Sequence, residues 1–253
     1  MKTNRIISWI ISFSILAALT VAAFPTSSYA QAGAKSNKKI EVFVQYKLIK
    51  SGMMKKSNIG VAVSNRTITL TGTVPTLYDI SRAKKIAHSV ANHFNVVDNL
   101  TVSAPSVSNK VVSQEVMHRI ETHTFYTAFD WVTTSVHQGV VTLNGWVNAP
   151  WYVKQYQDQA DRVAGVKRVV NNLKTAIGSD WLKYRAYALI YSDPFYQPYA
   201  LEINPPIHII VNGPDLILEG NVQTSGERGY LSDLMLFHTN APNVVDNIQV
   251  ASD

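Results

Sequence analysis

The sequence predicts an α+β protein that consists of three tandem copies of one unit, each with the order helix, strand, strand, helix, strand. Two recurring phrases carry this prediction. The first is a β-like run closed by a glycine, found at residues 65–76, 139–150 and 212–224. The second contains Val-Val followed by Asp-Asn or Asn-Asn, at residues 95–102, 168–175 and 243–250. Both recur at separations of 73 and 75 residues, which indicates a copied folding unit.

The first element of each unit is predicted to be a helix, because apolar residues recur three or four positions apart. These residues are Ile40, Val44 and Leu48 in the first unit, Val112, Val116 and Ile120 in the second, and Leu182, Ala186 and Leu189 in the third. Gly52 is typical of a helix C-terminus, and Ser192-Asp193-Pro194 ends the third helix.

A β-hairpin follows each of these helices. Two short β-rich runs are joined by polar or glycine-containing segments at residues 64–66, 137–139 and 212–215. Three glycines, Gly72, Gly145 and Gly220, close the second run. We expect them at the turn from strand to helix, where there is little room for a side chain.

The second helix and the last strand complete each unit. Ile80, Ala83 and Ile86 begin an apolar stripe in the first unit, and the Val-Val phrase after it predicts a strand. Two helices on one face of a three-stranded sheet form a two-layer sandwich.

The pattern of strand, Gly-x-Val, helix and Val-x-Asn-x-Leu/Ile-x-Val resembles the BON domain, the envelope module of osmotically inducible periplasmic proteins. The three BON-like units span residues 40–104, 105–178 and 179–253, and the third is divergent because Asn204-Pro205-Pro206 lengthens its lead-in. The resemblance implies export to the periplasm, a role in envelope maintenance or osmotic stress, contact with phospholipid, and no enzyme activity.

Residues 1–30 are predicted to be a signal peptide, since basic MKTNR precedes an apolar run from Ile6 to Phe24. The small residues Ser28 and Ala30 predict cleavage after Ala30, which leaves residues 31–39 as a basic leader. An apolar run of this length could instead be retained as a membrane anchor.

Several classes of site have no sequence support. The chain has no cysteine, and its histidines lack the spacing of metal ligands. No nucleophile motif or phosphate-binding loop occurs. We therefore expect no enzyme activity, no cofactor, no metal and no small-molecule substrate. Nucleic acid is a poor partner outside the cytoplasm.

Charge is distributed as a gradient along the chain. The net charge is +8 over residues 31–104, +2 over residues 105–178 and −6 over residues 179–253. Three interpretations stay open: attraction to anionic lipid, docking of oppositely charged parts, and an ordinary solvated surface.

The candidate lipid-binding residues lie at the end of the first helix and in the loop after it. They are the basic residues Lys47, Lys50, Lys55 and Lys56, with Met53 and Met54 as the exposed apolar partner. An anionic phospholipid surface is the partner that this combination favours.

A second candidate surface is the aromatic patch of Tyr184, Tyr187 and Tyr191, which share one side of the third unit's first helix. Its partner could be a neighbouring unit, another protein or the membrane interface. The alternative function is a periplasmic scaffold that binds an envelope protein or peptidoglycan through such a patch.

Overall fold

A computed structural model describes residues 26–103, 107–202 and 204–251, with side chains described from residue 36 onward. The apolar run that we interpret as a signal peptide lies outside the described residues. Within the part of the chain that the structure covers, no helix is long and apolar enough to cross a bilayer.

The chain forms three modules, and each has the predicted order helix, strand, strand, helix, strand. Module 1 contains α1 (Thr26–Lys50), β1 (Asn58–Ser64), β2 (Thr67–Val74), α2 (Leu77–Val90) and β3 (Asn95–Val102). Module 2 contains α3 (Asn109–Glu121), β4 (Trp131–His137), β5 (Val140–Val147), α4 (Pro150–Asp161) and β6 (Arg168–Thr175). Module 3 contains α5 (Asp180–Ser192), α6 (Gln197–Ala200), β7 (Ile207–Asn212), β8 (Asp215–Val222), α7 (Ser225–His238) and β9 (Asn243–Val250). A short 3-10 helix, Met53–Lys55, follows α1.

Each module has one three-stranded sheet of the same topology. The first two strands form an antiparallel hairpin, and the third strand pairs in parallel with the second. The pairing register is also repeated, because Gly72 faces Leu100, Gly145 faces Leu173 and Gly220 faces Ile248. This shared register confirms that one folding unit occurs three times.

The three glycines lie inside a strand, so the expectation that they form the strand-to-helix turn is wrong. Gly72 pairs with Ile59 of β1, and β2 continues to Val74. A Cβ atom at Gly72 would lie 1.9 Å from the carbonyl oxygen of Asn58. The backbone of the first strand therefore excludes any side chain at this position, and the positive φ of 116° requires glycine as well.

Each module buries its own apolar core between its helices and one face of its sheet. Val44 and Leu48 of α1, Ile68 and Leu70 of β2 and Ala83 of α2 are fully buried in module 1. α2 begins at the N-cap residue Thr76, whose hydroxyl accepts a hydrogen bond from the Asp79 amide.

Two helical segments differ from the sequence prediction. α1 begins at Thr26, well before Ile40, so the helix includes the residues that we expected to form a leader. Module 3 places the short helix α6 in its longer lead-in.

Candidate functional site

The first helix of module 1 presents apolar side chains on two opposite faces. Its inner face buries Val44 and Leu48 against the sheet. Its outer face exposes four large apolar residues, each between 51% and 61% accessible: Val42, Phe43, Tyr46 and Ile49. The aromatic rings of Phe43 and Tyr46 are in edge contact, with centroids 6.5 Å apart. No element of the described chain covers these side chains.

Lysines flank this apolar row. Lys39 and Lys50 are exposed and fall at i and i+11 of the same helical face, with the apolar residues between them at i+3, i+4, i+7 and i+10. We call this set the outer stripe: Lys39, Val42, Phe43, Tyr46, Ile49 and Lys50. Lys38 and Lys39 also border a shallow cavity formed with Val42 and Phe43. The outer face of α1 therefore combines a central apolar row with a lysine at each end. Interfacial helices combine apolar and basic residues in a similar way.

The equivalent face of module 2 is polar, so the outer stripe of module 1 has no counterpart there. Val44 and Leu48 of α1 correspond to Val116 and Ile120 of α3, because both pairs are fully buried at the same spacing in helices that pack on the first strand of their module. With this alignment, the positions of the four apolar residues carry Gln114, Glu115, His118 and Glu121 in α3. The shared fold therefore does not require apolar residues there.

The lysines predicted to bind lipid have three different environments. Lys50, Lys55 and Lys56 are exposed. Lys47 is partly buried, and its Nζ atom lies 3.2 Å from the Ser89 hydroxyl of α2, so it ties the two helices together. Lys56 lines a cleft toward module 2.

The expectation that Met53 and Met54 form an exposed apolar pair is wrong. Met53 is only 4% accessible and belongs to the core of module 1, and Met54 packs partly against the same core. The short 3-10 helix after α1 turns these side chains inward. The exposed apolar residues of α1 are those of the outer stripe, whereas the apolar spacing used to predict this helix marks only its inner face.

The aromatic patch of α5 is divided between two environments. Tyr184 and Tyr187 pack against Phe129 of module 2, with ring centroids 5.3 and 5.5 Å apart. Tyr191 is buried in the core of module 3, where its hydroxyl donates to the Ile207 carbonyl. The first two tyrosines thus contact a neighbouring module, and the third packs within its own.

A buried polar cluster lies at the same junction of modules 2 and 3. His208 of β7 is 2% accessible, and its ring lies 4.9 Å from the Trp131 ring and 5.7 Å from the Tyr126 ring. Burial lowers the pKa of His208 to about 4. Burial also raises the pKa of Asp130, although this carboxylate accepts hydrogen bonds from Thr127 and Asn148.

No arrangement suited to a metal was found among the residues that the structure describes. No three His, Asp or Glu side chains there lie close enough together to hold an ion.

Comparison with known proteins identifies modules 1 and 2. The family model described as "BON domain" matches residues 36–104 and 111–176, which together make up more than half of the chain. No curated protein gave a significant match.

Solved structures of a Chlamydia trachomatis protein resemble the chain weakly. One is the C-terminal domain of CdsD, described as the structural protein of the Type III secretion system, at 13% identity and a TM-score of 0.25, covering 84% of this chain and 96% of that one. A second CdsD structure has 12% identity and a TM-score of 0.24, covering 83% and 92%. Likeness at this level carries no argument about function.

Proposed function

Because the chain belongs to the BON domain family, we propose that it is a non-enzymatic periplasmic envelope protein that binds anionic phospholipid surfaces through the outer stripe of α1. The observation that carries this proposal is an exposed apolar row flanked by lysines on one module, at positions where the neighbouring module is polar. A role in envelope maintenance under osmotic stress is consistent with such adhesion.

The composition of the outer stripe supports lipid as the partner. Aromatic rings such as those of Phe43 and Tyr46 are favoured at the boundary between head groups and acyl chains. Each lysine near an anionic surface contributes about 1 kcal/mol of attraction. Phe43, Tyr46 and Ile49 are exposed in one contiguous row. Large contiguous apolar patches are rare on the surfaces of monomeric soluble proteins and often mark a binding site.

The charge gradient supports an orientation for the bound protein. Residues 31–104 carry a net charge of +8, whereas residues 179–253 carry −6. An anionic surface attracts the first and repels the second. Module 1 would therefore face the lipid, with module 3 directed toward other components of the envelope.

Vesicle flotation of the protein purified after export tests the proposal. We expect the protein to float with vesicles that contain phosphatidylglycerol, and not with vesicles of phosphatidylcholine alone. The double variant Phe43→Ser with Ile49→Ser should weaken partitioning at least tenfold, since it removes two apolar anchors. Lys39→Glu with Lys50→Glu should weaken it by a similar factor at low salt.

Matched controls are available in module 2. Val111→Ser with Phe125→Ser removes two exposed apolar residues outside the outer stripe, and Lys110→Glu with Arg168→Glu makes the same change of charge. Both controls should float like the unmodified protein. Unchanged flotation of the Phe43 and Ile49 variant would contradict the proposal.

A scaffold that binds an envelope protein or peptidoglycan is the second candidate function. Trp181 of α5 and Leu236 and Phe237 of α7 are exposed on module 3, whose acidic character opposes contact with anionic lipid. This function predicts retention of an envelope partner that persists at high salt. Trp181→Ser with Phe237→Ser should abolish that retention while leaving vesicle flotation intact.

A further inference from the structure

A cleft of about 440 Å³ separates module 1 from module 2. One wall is formed by the segment after α1 and the first turns of α2. The other wall is formed by the C-terminal ends of α3 and α4, through Arg119 and Arg162. The cleft is distinct from the outer stripe of α1, since none of the stripe residues lines it.

Four cationic side chains line this cleft. Lys56 and Arg82 come from module 1, and Arg119 and Arg162 come from module 2. The one carboxylate in the lining, Asp79, accepts a hydrogen bond from the hydroxyl of the N-cap residue Thr76 at 2.8 Å.

Only one of these four cationic side chains forms an ion pair among the described residues. Arg119 donates to Glu115 at 2.7 Å. Within the described residues, no carboxylate lies in ion-pair distance of Lys56, Arg82 or Arg162. Like charges brought together across a junction repel each other, and a bound anion would offset that repulsion.

Two of the guanidinium groups are held in place by neutral groups. Arg82 donates to the Ser51 carbonyl at 2.7 Å, and the Arg162 guanidinium carbon lies 3.5 Å from the centre of the Tyr78 ring. These contacts orient the groups without neutralising them. A planar guanidinium with further N–H donors matches the geometry of phosphate oxygens.

We propose that this cleft binds the phosphate group of a phosphate monoester or diester, and that the bound anion bridges modules 1 and 2. The volume exceeds what a phosphate alone needs, so a small polyol esterified to it would also fit. Such an ester could be a soluble metabolite or the head group of a phospholipid. The proposal stands apart from the outer stripe and does not depend on it.

Calorimetric titration of the exported protein with glycerol 3-phosphate and with inorganic phosphate, at constant ionic strength, tests the site. We expect saturable binding that chloride does not reproduce. Arg162→Gln should weaken binding at least tenfold, because a charged hydrogen bond is lost. The matched control Lys85→Gln removes the same charge from an exposed position on α2, near Arg82, and should bind within about twofold of the unmodified protein.

A second variant tests the site without disturbing the fold. Lys56 is exposed, so Lys56→Gln should leave the fold intact while weakening binding about threefold. The proposal would be overturned if neither soluble anion showed saturable binding and Arg162→Gln also left flotation with phosphatidylglycerol vesicles unchanged. Equal weakening by Lys85→Gln would also overturn it, since binding would then follow net charge alone.

Flotation with phosphatidylglycerol vesicles separates the two sources of phosphate. Loss of flotation in Arg162→Gln identifies a lipid head group as the ligand. Normal flotation, together with lost glycerol 3-phosphate binding, identifies a soluble ester. The Phe43 and Ile49 variant should retain glycerol 3-phosphate binding, so that failure of the outer stripe and failure of the cleft are told apart.

Discussion

Three glycines determine how closely the first two strands of each module can approach. Gly72, Gly145 and Gly220 have φ values between 116° and 124°, and a side chain at each would collide with the backbone at or just before the start of the first strand. Their periodic occurrence could be read from the sequence. Their position inside the strand could not, because the obstacle is a backbone carbonyl brought there by pairing of the two strands.

Gly220→Ala should therefore destabilise module 3 by more than about 2 kcal/mol. The new Cβ would lie 1.9 Å from the Pro206 carbonyl oxygen. Gly229 gives a matched control in α7, where a Cβ meets nothing within 4 Å. Gly229→Ala should stabilise the module by about 0.5–1 kcal/mol, because alanine favours helix. Urea denaturation measures both changes, and an equal effect of the two substitutions would contradict this account.

His208 is a buried titratable residue at the junction of modules 2 and 3. Its Nδ1 atom has no hydrogen-bond partner within the described residues, and burial lowers its pKa to about 4. An unfolded chain, with a histidine pKa of about 6.5, takes up a proton before the folded protein does. The free energy of unfolding should therefore fall as the pH falls from about 6.5 to about 4.

His208→Leu should remove about 3 kcal/mol of this acid sensitivity between about pH 7 and about pH 4. Burial raises the pKa values of Asp130 and Asp161, so these carboxyl groups make the free energy of unfolding rise as the pH falls, opposite to His208. Both carboxyl groups are present in both proteins. The comparison of denaturation curves at the two pH values isolates the histidine. Identical pH dependence would show that His208 does not stay neutral in the folded protein.

At the scale of elements, helices and strands could be predicted because their apolar periodicity follows their burial. Val44 and Leu48 were predicted to face a core, and both are fully buried. The second apolar face of α1 was also present in the spacing of Val42, Phe43, Tyr46 and Ile49. Spacing alone does not show which of two apolar faces packs on the core. The burial of each side chain in the structure distinguishes them.

Met53 is a buried residue whose burial could not be predicted from the sequence. It follows the helix-ending Gly52, where sequence periodicity stops, and its direction depends on the turn made there. Gly52 has a φ of 78°, and the following 3-10 turn directs Met53 into the core. A loop residue has no repeating neighbour from which its burial could be inferred.

At the scale of the whole molecule, modules 2 and 3 are joined by a segment of module 2 that lies along β7. Ile209 donates its amide to the Ala128 carbonyl at 2.7 Å, and Lys183 donates to the Asn148 side chain at 2.7 Å. Phe129 packs against α5 beside these bonds. The sequence showed an aromatic patch on α5 but not its partner, because Phe129 lies in an irregular segment with no periodicity.

Phe129→Ala should loosen this junction without unfolding either module. Loss of a half-buried ring at a contact costs about 2 kcal/mol, so the Ile209 amide should exchange its hydrogen about thirtyfold faster. The Leu218 amide, within the same sheet, should be unaffected. Phe125→Ala is the control, since Phe125 stacks on Tyr152 of its own module. Equal acceleration at Ile209 in both variants would contradict a junction made by Phe129.

The charge gradient and the outer stripe lie at the same end of the chain, and the proposed contact with lipid rests on their coincidence in module 1. Module 1 carries both the excess of lysine and the exposed row of α1. The gradient was legible from the sequence alone. Its coincidence with an uncovered apolar face required the packing of α1 on its sheet.

The most direct test of lipid binding uses the absence of cysteine from the chain. A polarity-sensitive fluorophore is attached to Tyr46→Cys, within the outer stripe, and in a second protein to His118→Cys, the equivalent exposed position of α3. On addition of vesicles containing phosphatidylglycerol, the account predicts a blue shift of emission for the label at position 46 and none at position 118. No shift at position 46, or equal shifts at both positions, would contradict insertion of α1 into the lipid surface.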